Sequence, residues 1–307
     1  MSGRFAPSPT GDLHLGNLRT AALAWLAARR AGLEFVIRME DLDRVQASLD
    51  HERLQLQDLA AIGIGSDAPV IRQSERFGTY HAAIDDLTER GLTYECFCSR
   101  REVRAEIESA PSAPHLPPGA YPGSCRDLTG AKRAQFLAEG RRPALRLRAP
   151  GDGGLVEFDD IVHGPFAGGV DDTVLRRNDG VPSYNVAVVL DDAAQGVTQV
   201  VRGDDLLSST PRQIHLQRLF GLPTPSYGHV PLVFGDDGER LSKRHGSVTL
   251  AELAAEGVTV ERVVGWIVDS LDLPGRQSSP RPTLEGVLDR FDLARTPTDV
   301  VIAPGWI

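Results

Sequence analysis

Residues Phe5–Arg30 read FAPSPTGDLHLGNLRTAALAWLAARR. A short apolar strand, Arg4–Ala6, runs into two prolines and a glycine-bearing loop. His14, Gly16 and Asn17 then stand where an alanine-rich helix begins. That helix is expected from about Leu18 to Ala31, with Leu18, Ala22, Trp25 and Leu26 on one apolar face and Gly32 as its stop. A helix start offers free N–H groups and the positive end of a dipole, so it is where a phosphate is most comfortably held.

The pattern continues outward from this stretch. EFVIRMED (34–41) is a buried strand that ends in Glu40 and Asp41, followed by a helix near Leu54–Ile62, a strand at Val70–Arg72 and a helix near Thr79–Arg90. Strand–helix–strand alternation predicts an α/β fold with a doubly wound parallel sheet. Ligands of such sheets bind outside the carboxyl ends of the strands, where His14 and Glu40 both fall. The stretch that holds the cysteines breaks the rhythm, and PALRLRAPGDGGLVEFDDIVHGPF (143–166) is expected to be extended chain of an inserted subdomain. Alternation resumes with SYNVAVVLDDAAQG (183–196), VTQVVRGDD (197–205) and STPRQIHLQRLFG (209–221), where Thr210 and Pro211 make a good helix start. Lys243 follows in a glycine-flanked loop, and two modest helices close the chain, the last near Val260–Leu271. The expected division is 1–95 and 173–249 for the two halves of the sheet domain, 96–172 for the insert and 250–307 for a short helical end.

The composition suits a sizeable core: 307 residues, 41% hydrophobic and 24% charged, with a net charge of −9. That charge argues against indiscriminate nucleic-acid binding but leaves room for a local basic groove. Arg100, Arg101 and Arg104 gather in one place, and Lys132, Arg133, Arg141, Arg142, Arg146 and Arg148 in another. Such clusters are most often solvated faces. No apolar run reaches membrane-spanning length and the first residues do not form a signal segment, so a cytoplasmic protein without a membrane partner is expected. The three cysteines, Cys96, Cys98 and Cys125, lie within one stretch. Their number and spacing suit a tetrahedral zinc site short of one ligand rather than a disulfide framework, with Tyr121, His115 and Asp127 as candidates for the fourth position. Three unrelated buried thiols are the plain alternative.

Five fragments, in this order, resemble the class I aminoacyl-tRNA synthetases of the glutamyl branch. RFAPSPTGDLHLGNL (4–18) is similar to that branch's HIGH signature, RMEDLD (38–43) to its second strand, SYNVAVVLDD (183–192) and VVRGDDLLSSTPRQI (200–214) to its amino-acid pocket, and RLSKR (240–244) to its KMSKS signature. Asn17 stands for the second histidine of HIGH, and Arg244 ends the KMSKS box. The resemblance implies a Rossmann-like catalytic domain that activates L-glutamate with ATP and Mg²⁺ to a glutamyl-adenylate. By this likeness His14 and Lys243 are catalytic, and His14, Gly16, Asn17 and Lys243 bind ATP. Arg4, Phe5, Ala6, Pro7, Ser8, Glu40, Tyr184 and Arg202 form the glutamate pocket, with Arg4 and Arg202 taking the carboxylates and Glu40 the ammonium. Developing charge on the phosphates has to be met by preorganised donors.

Only residues 244–307 follow Lys243, too few for the long anticodon-reading region of a full-length member. The chain therefore resembles the short members of the branch, which attach glutamate to the queuosine base in the anticodon of tRNA(Asp). In these relatives one structural zinc sits in an acceptor-binding insert, and the pattern falls on Cys96, Cys98, Tyr121 and Cys125. A monomer is expected. Two other readings stay open: a shortened enzyme that acylates a tRNA 3′ end, and a non-catalytic tRNA-binding relative.

Overall fold

A computed structural model describes residues 1–109, 116, 119–151, 154–241, 248–273 and 282–305. The first half runs β1 (Ser2–Phe5), α1 (Leu15–Arg30), β2 (Glu34–Met39), α2 (Leu49–Ala61), β3 (Ile71–Arg72) and α3 (Phe77–Glu89). The middle holds β4 (Thr93–Cys96), α4 (Arg100–Ser109), α5 (Gly130–Ala138), β5 (Ala144–Leu147), β6 (Val156–Asp160), β7 (Gly164–Gly168) and β8 (Val174–Arg176). The second half follows with α6 (Tyr184–Ala194), β9 (Val197–Gly203), α7 (Thr210–Phe220), β10 (Ser226–Val230) and β11 (Val233–Phe234). The chain closes with α8 (Leu250–Ala255), α9 (Val260–Asp269) and β12 (Val301–Ile302), which pairs with β11.

The central sheet has the order β3-β2-β1-β9-β10-β6-β7, and every neighbouring pair is parallel except β6–β7. Its strand order reverses between β1 and β9, so a crevice opens at their carboxyl ends. Parallel strands need cover on both faces, and two apolar clusters provide it. One joins α1 and α9 to β2, and the other joins α3, α6 and α7 to β9. Helix α1 is buried on nearly every side, with Leu15, Leu18, Leu23 and Leu26 fully enclosed. Truncating one such leucine to alanine costs about 2–5 kcal/mol.

Two expectations change. Helix α1 begins at Leu15 rather than Leu18, because the His14 side chain caps it and pulls one more turn into register. The expected insert boundaries also do not follow the sheets. Strands β6 and β7, inside 96–172, extend the central sheet through β10, whereas β4, which straddles the first limit, and β8, beyond the second, join β5 in a separate three-stranded antiparallel sheet. Within 183–196 the chain forms helix α6 (Tyr184–Ala194), where the alternation required a covering element.

Candidate active site

The end of β1 carries the loop that leads to His14. Gln55 of α2 ties it down, donating from Nε2 to the carbonyls of Ser8 at 3.0 Å and Gly11 at 2.6 Å. The Glu40 amide donates to the Pro7 carbonyl at 2.9 Å, so the chain leaving β1 is tied to the end of the neighbouring strand β2. The His14 ring then folds onto its own helix: Nδ1 accepts from the Asn17 amide at 3.3 Å, and Asn17 Oδ1 accepts from the His14 amide at 3.1 Å. An imidazole that accepts through Nδ1 while neutral carries its proton on Nε2. Burial, with Arg240 adding to it, lowers His14 to about 4, so at neutral pH the ring is an uncharged donor. Gly16 lets the ring lie close: a Cβ there would stand 3.0 Å from ring atoms Cε1 and Nδ1, so the imidazole would have to give way.

A cavity of about 420 Å³ opens above these groups. Arg4, Phe5, Ala6, Pro7 and Ser8 line it from β1 and the following loop. His14, Gly16 and Asn17 line it from the start of α1, and Glu40, Tyr184 and Arg202 from β2, α6 and β9. Every described residue of the expected glutamate and nucleotide sites thus faces one space. Lys243 lies outside the described residues.

The charges in this space are held by partners. Arg38, fully enclosed, donates to Asp192 at 2.8 Å and to Glu40 at 3.2 Å. Asp192 also pairs with Arg4 at 3.6 Å. Burial pushes the Glu40 carboxyl up against the opposing pull of Arg38 and Arg4. Burial pushes Asp192 the same way, but Arg38 and Arg4 prevail and hold it below the usual carboxylate range. Arg202 is 5% exposed and donates to His229, Gln213 and Thr210. Burial raises the Tyr184 hydroxyl, which keeps it a neutral hydrogen-bonding group. Around Glu40 the arrangement offers the guanidinium groups of Arg4 and Arg202, the Glu40 carboxylate and the Tyr184 phenol, a set suited to a small zwitterion with a further acid group.

Several residues that shape the site were not singled out from sequence. Arg240 lines the cavity beside His14 and pairs with Asp205 at 2.9 Å. Its signal was available, since it opens the same RLSKR stretch. Arg38 and Asp192 sat inside quoted motifs but carried no separate signal. Gln55, Asp160 and His229 reach the site only through the fold.

A second cluster lies in the small sheet. The sulfur atoms of Cys96, Cys98 and Cys125 all fall within 4.8 Å of one another. The Tyr121 hydroxyl lies 3.4 Å from both Cys96 Sγ and Cys98 Sγ. Three thiols and one phenol oxygen converge, a soft donor set suited to zinc. Asp127 is 86% exposed and paired with Arg148 at 3.2 Å, so it is turned away from the cluster. His115 lies outside the described residues. The basic residues separate as well. Arg133 pairs with Glu95, Arg141 with Glu102 and Glu139, and Arg146 is buried, while Arg100, Arg101 and Arg104 are exposed along α4.

The family model described as tRNA synthetases class I (E and Q), catalytic domain, matches residues 1–268. The chain belongs to that family. It is 57% identical over 298 residues to a glutamyl-Q tRNA(Asp) synthetase of Nocardia farcinica, covering 97% of this chain and 91% of the relative. It is 45% identical to the glutamyl-Q tRNA(Asp) synthetase of Symbiobacterium thermophilum, covering 99% of this chain and 96% of the relative. The crystal structure of a glutamate tRNA ligase from Elizabethkingia meningosepticum, in complex with its amino acid, superposes with a TM-score of 0.82 at 27% identity. That match covers 98% of this chain, which spans 66% of the ligase. Within this class I family the crevice between β1 and β9 belongs to the catalytic domain. No described helix is long and apolar enough to cross a membrane.

Proposed function

We propose that the chain activates L-glutamate with Mg²⁺–ATP and transfers the glutamyl group to the queuosine base in the anticodon of tRNA(Asp). In the first step a glutamate carboxylate oxygen bonds to the α-phosphorus and pyrophosphate leaves. In the second, a hydroxyl of the acceptor base attacks the glutamyl carbonyl, loses its proton and releases AMP. The observation that carries this reading is the 57% identity to a glutamyl-Q tRNA(Asp) synthetase over nearly the whole of both chains. The cavity supports it, since Arg4, Arg202 and Glu40 match the two carboxylates and one ammonium of glutamate.

In this reading His14 donates from Nε2 to the nucleotide phosphates, and Lys243 neutralises them as pyrophosphate departs. Arg4 and Arg202 hold the carboxylates, Glu40 holds the ammonium, and Ser8 and Tyr184 add hydrogen bonds. Cys96, Cys98, Cys125 and Tyr121 hold one structural zinc, which when bound cross-links β4 to the 121–125 loop. The tRNA lies along the element that carries the thiol cluster, with its phosphates met by Arg100, Arg101 and Arg104 of α4 and by Lys132 and Arg133 of α5. The protein works in the cytoplasm as a monomer. The test is nuclease mapping of tRNA(Asp) after reaction with labelled glutamate. Label in the anticodon fragment supports the proposal, and label on the terminal adenosine favours acylation of the 3′ end.

A further inference from the structure

The three parallel strands β9, β10 and β6 bring Arg202, His229 and Asp160 side by side, Arg202 opposite His229 and Asp160 diagonal to it. Arg202 is the register partner of His229, and Asp160 pairs with Tyr227, two residues before His229. The bonds follow that arrangement. His229 Nδ1 lies 2.6 Å from Asp160 Oδ2, and His229 Nε2 lies 3.1 Å from Arg202 Nε. Both His229 and Asp160 side chains are fully enclosed. Asp160 also accepts backbone N–H groups from Val162, His163 and His229. Burial pushes its carboxyl up, but these donors and the His229 ring hold it below the usual range, so it stays ionised. A carboxylate facing Nδ1 fixes the proton on that nitrogen and leaves Nε2 as an acceptor.

We infer that Asp160 and His229 are positioning residues that aim the Arg202 guanidinium at the substrate carboxylate without neutralising it. The inference rests on Arg202 binding glutamate. An arginine has five N–H donors in a rigid fork. Here Nε donates to His229, Nη1 to Gln213 Oε1 at 2.8 Å and Nη2 to Thr210 Oγ1 at 2.8 Å. All three acceptors are uncharged, and two N–H groups remain for a ligand. Direct pairing with a carboxylate would orient the fork equally well but would spend its charge, as Asp192 does for Arg38. The arrangement keeps the negative charge of Asp160 one imidazole away from the guanidinium. Gln213 and Thr210 of α7 hold the two Nη atoms while His229 of β10 holds Nε, so the fork is fixed from two sides.

The test combines glutamate-dependent ATP–pyrophosphate exchange with ¹⁵N NMR of the intact protein. His229→Leu keeps volume but removes the acceptor, and is expected to raise KM for glutamate about 10- to 100-fold, the scale of a lost hydrogen bond to a charged group. KM for ATP stays within about twofold, because His229 does not touch the nucleotide end of the cavity. His229→Gln retains a donor and an acceptor at similar separation and recovers most of the loss. In the unsubstituted protein NMR shows a protonated Nδ1 and a bare Nε2 between pH 6 and 8, and Asp160→Asn shifts that tautomer. Equal rises in both KM values, an unchanged glutamate KM in His229→Leu, or a protonated Nε2 in the unsubstituted protein overturns the inference. Absence of glutamate-dependent exchange in the unsubstituted protein overturns the functional reading instead, and the tautomer measurement still decides the positioning role.

Discussion

His14 and Asn17 hold each other at the mouth of α1 by two reciprocal hydrogen bonds, ring nitrogen to amide and amide oxygen to amide. The pair satisfies part of the helix start internally, so α1 is capped before any ligand arrives. What remains for a phosphate is His14 Nε2–H and whatever amides of the first turn stay uncommitted. The histidine is thereby both a cap and a preoriented neutral donor.

Gly16 separates these two roles. Gly16→Ala adds helix propensity worth about 0.5–1 kcal/mol, yet its Cβ would stand 3.0 Å from the His14 ring. The variant is expected to melt no more than a few degrees from the parent while its ATP–pyrophosphate exchange falls at least tenfold, about 1.4 kcal/mol in the barrier. Thermal unfolding and exchange measured on one preparation check this. Full activity in the variant would show that the imidazole orientation does not matter.

Acid should destabilise the protein in a defined window. His14 and His229 each titrate near 4 in the fold, well below the ordinary 6.5, chiefly through burial. Between those values the unfolded chain binds more protons than the folded one, so stability rises with pH and is lost as pH falls from 6.5 toward 4. Burial lowers His215 too, which adds to the effect. Asp58, raised to about 6 by burial and by Asp12, works in the opposite sense and offsets part of it. The urea midpoint at pH 5 is therefore expected below that at pH 7. An equal or higher midpoint at pH 5 contradicts the assignment.

The thiol cluster predicts one zinc per chain in protein purified without chelator. Cys98→Ser should lower the zinc content and destabilise the small sheet, while Asp127→Ala leaves zinc unchanged because that carboxylate faces solvent. Tyr121→Phe reports directly on the fourth ligand. If it retains full zinc, water or His115 takes that place.

Lys243 is expected to act only as pyrophosphate leaves. Lys243→Ala should cost ~2.7–4 kcal/mol in the activation step, comparable to removing one preorganised donor from a charged transition state. Glutamate binding measured by calorimetry should be unaffected. A loss of glutamate affinity equal to the loss in rate would place the lysine in the amino-acid pocket instead.

The parts of this molecule legible in the sequence are those whose chemistry is local. Glu40 directly follows β2, and His14 and Gly16 stand where the loop after β1 enters α1; parallel strands put ligands at such ends. The alternation of elements showed where the sheet runs. The parts that were not legible depend on distant pairing. β6 sits in sequence inside an apparent insert, and only its register with β10 makes it catalytic-domain structure. The support of Arg202 comes from β6, β10 and α7, and no spacing along the chain announces that Asp160 and His229 meet it. The cysteines were legible as a group; spacing alone left Tyr121, His115 and Asp127 open, the resemblance pointed to Tyr121, and the direction in which the Tyr121 and Asp127 side chains turn agrees with it.

The central claim is the identity of the acceptor, and the position of the new ester bond on tRNA(Asp) tests it most directly. Queuosine-containing tRNA(Asp) is incubated with labelled glutamate and ATP, digested with a base-specific nuclease, and its fragments are resolved. The account predicts label in the anticodon-loop fragment and none on the terminal adenosine, with no label when the tRNA carries guanosine in place of queuosine. Label confined to the 3′ terminal fragment would contradict it.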